Sequence, residues 1–113
     1  MLGANHPYTA SSLNNLAALC RDQGRNPKAE PLYDEALSIT RRVLGEDHPN
    51  TAISLNNLAN LYRDQGRHAE AAPLLKEAVE IMERVLGAEH PNTKFLRLNH
   101  EKLLAEMKEK KAE

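Results

Sequence analysis

Three histidines recur at one fixed interval along the chain, and each is followed by a proline. They are His6, His48 and His90, so the interval is 42 residues. Imidazole is a common zinc ligand and can transfer protons near neutral pH. A 42-residue repeat, however, places these side chains on successive packed helices about 8–10 Å apart, whereas zinc–nitrogen bonds measure about 2.0–2.1 Å. We therefore expect each histidine to bond to the backbone at the start of a helix rather than to share a metal.

The other reactive side chains lack the neighbours that catalysis requires. Cys20, the sole cysteine, falls where packing against another helix is expected, and no histidine is placed to activate its thiol. His68 and His100 have no partner at the spacing of metal ligands. The sequence contains no glycine-rich phosphate loop and no HExxH or GxSxG pattern. These observations predict no enzyme, no cofactor and no intrinsic metal site, and a single cysteine favours a reducing, cytoplasmic location.

Composition restricts the class of partner. The 113 residues suffice for one domain, and 41% of them are hydrophobic and 27% charged. The formal net charge of −1 argues against a nucleic-acid partner, because nucleic-acid-binding domains usually carry a basic excess. No apolar run approaches the roughly 18 residues of a membrane-spanning helix. The expected partner is a protein or peptide, with neither nucleic acid nor membrane involved.

The chain is built from a repeated pair of helices. Residues 6–47 align with residues 48–89 without a gap, and about 26 positions are identical. In each copy the proline begins an apolar pattern at three-to-four spacing, and a glycine ends each pattern. A third copy starts at His90 with "HPNT" and then diverges. We predict four helices in antiparallel hairpins and a fifth helix from about Pro91 to the end.

Small residues occupy the positions where these helices are expected to cross, and they support a resemblance to a known repeat family. The alanines concerned are Ala17, Ala29, Ala36, Ala59, Ala71 and Ala78. Together with the glycines and the phrases "SLNNLA", "EPL…EAL" and "VLG..HP.T", they make the chain resemble the tetratricopeptide repeat, in the 42-residue form of kinesin light chains. The resemblance implies an all-α fold, a right-handed α-solenoid of antiparallel helical hairpins. It divides the chain into a remnant of a preceding repeat (1–5), two full repeats (6–47 and 48–89) and a C-terminal capping helix (90–113).

The two ends of this array differ. Three packing residues of the second copy, Leu55, Leu58 and Ala59, are replaced in the third copy by Arg97, His100 and Glu101. A polar outer face is expected where no further helix follows. The N-terminal end has no such cover, and "LGANHP" at 2–7 matches "LGEDHP" at 44–49 as if a preceding repeat were missing. We expect an apolar face on the first helix that makes the chain a homo-oligomer, either stacked end to end or with exchanged helices.

The adjacent asparagines of "SLNNLA" are the residues best suited to binding a partner. Asparagine is a poor helix former, so its repetition inside a helix needs a reason. In an array of helical hairpins the first helices line a concave surface, and the apolar pattern leaves one polar face on each of them. An amide has two donors and two acceptors and can pair with the backbone of an extended peptide. The predicted groove residues are Asn14, Asn15, Arg21, Asn56, Asn57, Asn60, Arg63, Asn99 and Lys102.

The resemblance also assigns roles within this groove. In the family, groove asparagines bind the ligand backbone, and the resemblance implies this role for Asn15, Asn57 and Asn99. Neighbouring basic residues bind acidic groups, so Arg21 and Arg63 are expected to pair with ligand carboxylates. Ser11 and Ile53 stand where carboxylate-binding relatives often carry lysine, which argues against a dedicated carboxylate clamp.

Two alternatives to a peptide-binding scaffold remain open from the sequence. In the first, the asparagines bond only to neighbouring helices and the arginines are solvated surface charges. In the second, the chain is a structural or self-assembling solenoid fragment without a dedicated ligand. The close similarity of the two copies also leaves open an engineered array.

Overall fold

The structure is a computed structural model that describes residues 6–112. Five helices follow one another, namely α1 (Pro7–Asp22), α2 (Asn26–Leu44), α3 (Pro49–Asp64), α4 (His68–Leu86) and α5 (Pro91–Ala112). No strand occurs in this part of the chain. The predicted all-α fold and the predicted number of helices are confirmed. The expected repeat remnant at 1–5 lies outside the described residues.

The first helix of each repeat, α1, α3 or α5, begins at a histidine–proline pair. The ring Nδ1 of each histidine accepts the backbone N–H two residues later, in the pairs His6–Tyr8 (3.1 Å), His48–Asn50 (3.0 Å) and His90–Asn92 (3.1 Å). This bond satisfies one of the N–H groups that a helix start leaves without a partner, and the proline has no N–H to satisfy. The predicted role of the histidines at helix starts is confirmed.

Consecutive helices are packed against each other along the chain. α1 packs on α2 and α3 on α4, while α3 also lies against α2 and α5 against α4. The six alanines expected at the crossings are fully buried, namely Ala17, Ala29, Ala36, Ala59, Ala71 and Ala78. Larger side chains at these positions would force the helix axes beyond their usual separation of about 8–10 Å. The predicted crossing residues are therefore confirmed.

The core has consequences for the two end helices. Its main cluster runs from α1 to α5 and includes Tyr33, Leu55, Leu61 and Met82. In the described part of the chain, α2, α3 and α4 each pack between two neighbours, whereas α1 and α5 pack mainly on one side. Each end helix therefore keeps an open face.

Candidate functional site

Two depressions lie on the side of the molecule where α1, α3 and α5 come together. The first, of about 130 Å³, separates α1 from α3 and is lined by Ala10, Ser11, Asn14, Thr40, Leu44, Asn50 and Ile53. The second, of about 190 Å³, separates α3 from α5 and is lined by Ile53, Asn56, Met82, Asn92, Phe95 and Leu96. Several lining residues occupy equivalent places in successive repeats, among them Asn14 and Asn56. The repeat thus builds the same kind of depression twice.

Two equivalent asparagines at these depressions, Asn14 and Asn56, differ in their hydrogen bonds. Asn56 is only 9% exposed, and its Oδ1 accepts a hydrogen bond of 3.3 Å from Nδ2 of Asn99 on α5. One repeat earlier, Asn14 corresponds to Asn56 and Asn57 corresponds to Asn99. In that pair, however, the buried Oδ1 of Asn14 has no partner among the described residues. The junction of α1 and α3 therefore presents an unused amide acceptor. At the junction of α3 and α5 the corresponding acceptor is already bonded.

The remaining predicted groove residues keep some contact with solvent. Asn15 on α1 and Lys102 on α5 are exposed, and Asn57, Asn60 and Asn99 are half-buried. Their side chains can therefore be reached from solvent. Their predicted contacts with a ligand stay predictions.

The two arginines expected to bind ligand carboxylates have carboxylates of the chain itself as partners. Nε of Arg21 donates to Oδ2 of Asp64. Arg63 forms a two-pronged pair with Glu106, including a bond of 2.9 Å from Nε to Oε1. These hydrogen bonds raise the pKa of both guanidinium groups, and the bond from Arg63 holds the pKa of Glu106 below its usual value. Both guanidinium groups are thus paired with carboxylates of the chain itself.

The Arg63–Glu106 pair belongs to a larger polar cluster at the end of α3. Nε2 of His68 lies 3.1 Å from Oε1 of Glu106, and Nδ1 of His68 lies 3.4 Å from Nζ of Lys110. No group of three or more His, Cys, Asp or Glu side chains in the described residues could hold a metal ion. Cys20 is half-buried and packs against the main core cluster. The polar contacts of this cluster join α3, α4 and α5.

Exposed apolar side chains near the second depression were missed from the sequence. Phe95 and Leu98 on α5 are exposed, as is Ile53 on α3. Their register is the signal that could have found them, because Ser11, Ile53 and Phe95 stand at the same place in three successive repeats. At this place in the repeat the side chain is polar on α1 and apolar on α3 and α5.

None of the helices in the described part of the chain is both long and apolar enough to cross a bilayer.

Comparison with solved structures identifies similar chains. A Podosopora anserina protein described as a kinesin light chain with nearly identical TPR-like repeats is 27% identical, with a TM-score of 0.83, over 91% of this chain and 49% of that one. A point variant of the same protein gives 26% identity and a TM-score of 0.70 over 95% and 57%. BtubC (BKLC) from P. vanneervenii is 26% identical, with a TM-score of 0.79, over 87% of this chain and 39% of that one.

The chain spans 39–57% of the length of these solved proteins. No curated protein matches it. The family described as Tetratricopeptide repeat matches residues 8–84 and 55–113, which together include almost the whole chain. The sequence repeat, the packing of the helical hairpins and the match to the family lead to the same conclusion. The chain belongs to the tetratricopeptide repeat family, with repeats of the kinesin light chain-like type.

Proposed function

We propose that the chain binds an extended segment of a partner protein along the surface formed by α1, α3 and α5, which we call the first-helix surface. Tetratricopeptide repeats generally mediate protein–protein interaction. The single observation that carries the proposal is the pair of depressions at equivalent places in successive repeats, the first with Asn14 and Asn50 in its lining and the second with Asn56 and Asn92. Two like sites one repeat apart suit a ligand that presents similar groups at a regular interval.

The spacing of the depressions fits an extended chain. Neighbouring helices lie about 8–10 Å apart, and an extended peptide in the polyproline II conformation advances about 3.1 Å per residue with three residues per turn. Side chains three residues apart in such a peptide lie on the same side at about 9 Å, so they can enter both depressions at once. The volumes of about 130 and 190 Å³ suit one side chain each. A turn of the Asn14 side chain toward the first depression would bring its buried, unused Oδ1 to a donor of the ligand.

Charge on this surface favours a ligand with apolar anchors over an acidic one. Arg21 and Arg63 already pair with Asp64 and Glu106, so an acidic ligand would have to displace those carboxylates. The gain from exchanging one exposed partner for another is small, because each such pair contributes only about 0.2–1 kcal/mol. Phe95 beside the second depression supplies an exposed aromatic contact for an apolar anchor. We therefore expect the second depression to hold the main anchor.

The proposed role is that of a non-enzymatic scaffold in the cytoplasm. Cys20 is a free thiol, which fits a reducing compartment. Two small depressions bury little ligand surface, so we expect a dissociation constant of about 1 µM or weaker, that is, about −8 kcal/mol or less favourable. Tighter binding would need further repeats or a second point of attachment.

A selection from random peptides tests this proposal. Peptides of 12 residues displayed on phage are selected on the full chain, and one selected peptide is labelled for fluorescence anisotropy. Phe95→Ala should weaken its binding about tenfold, because the exposed ring lines the second depression and the loss of its apolar contact with the ligand costs about 1.5–3 kcal/mol. The matched control is Glu80→Ala, which alters an exposed residue of α4 that lines neither depression. Equal affinity of the two variants, with helicity unchanged in circular dichroism, would refute binding on the first-helix surface.

A second candidate function is structural, namely self-assembly of copies into a longer stack. The observation that favours it is the open face of α1, where Leu16 and Leu19 are exposed. Exposed leucines in register with buried ones mark a surface made for packing. In this function the chain is a homo-oligomer and the first-helix surface needs no ligand.

A further inference from the structure

The two depressions of the first-helix surface are built from the same places of the repeat. Five lining residues of the first depression have a counterpart 42 residues later in the lining of the second. The pairs are Ser11 and Ile53, Asn14 and Asn56, Thr40 and Met82, Asn50 and Asn92, and Ile53 and Phe95. Differences between the depressions therefore lie in the side chains that occupy shared places.

Three of the five places change, and all three change in the same direction. Asparagine stands in both copies at the other two places. Where the first depression has Ser11 and Thr40, the second has Ile53 and Met82. Where the first has Ile53, the second has the larger Phe95. The second depression is therefore the apolar version of the first, and its volume of about 190 Å³ exceeds the 130 Å³ of the first.

The first depression keeps hydrogen-bond acceptors that a ligand can use. Thr40 is 4% exposed, and its hydroxyl donates to the backbone oxygen of Ala36 at 2.8 Å, so the lone pairs of its Oγ1 remain to accept a bond. Oδ1 of Asn14 has no partner among the described residues. A ligand hydroxyl or carboxamide can donate to such acceptors. An aliphatic side chain in the same place would keep water from them and offer no donor in return.

The second depression offers no comparable acceptor at the equivalent places. Met82 is 1% exposed and stands in the place of Thr40. Oδ1 of Asn56 already accepts the bond of 3.3 Å from Asn99. A polar ligand side chain would lose its bound water there without gaining a partner, whereas an apolar one gains by leaving water. The exposed ring of Phe95 adds an aromatic contact for a large apolar side chain.

We propose that the places of Ser11, Thr40 and Ile53, and their counterparts one repeat later, set the ligand specificity of the first-helix surface. The ligand carries a short hydroxyl or carboxamide side chain for the first depression, three residues away from a large apolar side chain for the second. The inference rests on the proposed function and adds the chemistry of the ligand. The regular interval of the two anchors remains, and their chemistry differs.

The charges beside the second depression fit a ligand segment without net charge. Lys94 pairs with Glu89 at 3.2 Å, and Arg97 pairs with Glu83 at 3.6 Å. These two basic residues flank Phe95 and Leu96 of the lining in sequence. An uncharged segment leaves both ion pairs intact, whereas a charged one would compete with a partner that is already in place.

A peptide selected on the full chain tests the ligand side of this inference. Alanine at each position of one selected 12-residue peptide locates its anchors, which should lie three positions apart. At the first anchor threonine should bind about three- to tenfold more tightly than valine, which has the same shape without the hydroxyl. At the second anchor leucine should bind about tenfold or more tightly than asparagine, which has a similar size. Fluorescence anisotropy measures all four affinities.

An exchange within the repeat tests the protein side. Ser11→Ile with Thr40→Met gives the first depression the side chains that the chain already carries at Ile53 and Met82. Valine should then bind at least threefold more tightly than threonine at the first anchor, and the preference for leucine at the second should remain. The matched control is Ser12→Ile, at an exposed serine that lines neither depression, and it should keep the preference for threonine.

The single variant Ser11→Ile replaces the double variant if the latter does not fold, because Ser11 is exposed. It should lower the preference for threonine over valine at least twofold.

The outcomes separate this inference from the proposed function. Anchors at another spacing, equal affinities of the threonine and valine peptides, or an unchanged preference in the Ser11→Ile variants overturn the inference. If binding of the peptide is nevertheless weakened by Phe95→Ala, the proposed function stands. A selection without any binding peptide, or a peptide whose affinity Phe95→Ala leaves unchanged, overturns the proposed function and this inference with it.

Discussion

Two equivalent leucines provide the sharpest test of how the repeat distributes burial. Leu61 on α3 is fully buried, while Leu19 occupies the same place on α1 and is 52% exposed. Both belong to the same phrase of the repeat and sit on helices that start and end alike. Leu61→Ala and Leu19→Ala are therefore the same chemical change in the same local structure. Any difference between their effects on the free energy of unfolding therefore comes from the helix that covers Leu61.

The expected magnitudes follow from burial. Truncating a fully buried leucine removes its transfer free energy and leaves a cavity, at a cost of about 2–5 kcal/mol. At Leu19 half of the side chain already meets water and no closed cavity can form, so the expected cost is about 0.5–1 kcal/mol. The free energies of unfolding of the two variants should differ by about 1–4.5 kcal/mol.

Urea denaturation followed by circular dichroism measures both free energies. The slope of the free energy with urea should be the same for both variants and the wild type, since each exposes a similar surface on unfolding. Measurements at low protein concentration avoid any contribution from assembly at α1. Equal destabilisation by the two changes would refute the reasoning, because it would mean that Leu19 is covered to the same extent as Leu61.

Three further measurements test packing, turn geometry and electrostatics. Ala78→Leu should destabilise the chain by about 1–3 kcal/mol in urea denaturation through overpacking of the helix crossing, whereas Ala69→Leu at an exposed place on α4 should have little effect. Gly66→Ala should cost about 1–2 kcal/mol in the same assay, because its φ of +77° is strained for a residue with a Cβ. Arg63 lowers the pKa of Glu106, so their pair stabilises the fold above the ordinary glutamate pKa and the contribution is lost as pH falls through the lowered value; the free energy of unfolding should therefore fall less between about pH 7 and pH 3 in Glu106→Gln than in the wild type.

The helices and their crossings could be predicted because their signals are local. A proline after a histidine marks where the first helix of each repeat begins, a glycine follows the end of each of α1 to α4, and an apolar pattern lies between these signals. The alanines at the crossings could be predicted because two copies of the repeat display the same small residues in the same places. Repetition gives an internal comparison that a single hairpin would lack.

The state of the candidate site could not be predicted in the same way. Arg21 and Arg63 read as free cations because their carboxylate partners belong to the next repeat. Asn56 and Asn14 read as equivalent, yet one is bonded to Asn99 and the other has an unpartnered Oδ1. Which polar groups find each other depends on the rotation and spacing of successive hairpins, and the pattern within a single helix does not contain these.

The sequence by itself determined five helices, their order, their boundaries and the small residues at which they touch. Those features follow from backbone chemistry and from the period of apolar residues, which act within a few positions of one another. The tertiary structure alone decided which of the repeated residues are buried, so that Leu61 is buried and Leu19 is exposed. Burial depends on which helix packs against a residue. Identical leucines in equivalent helices therefore differ in exposure when another helix covers one of them and no described helix covers the other.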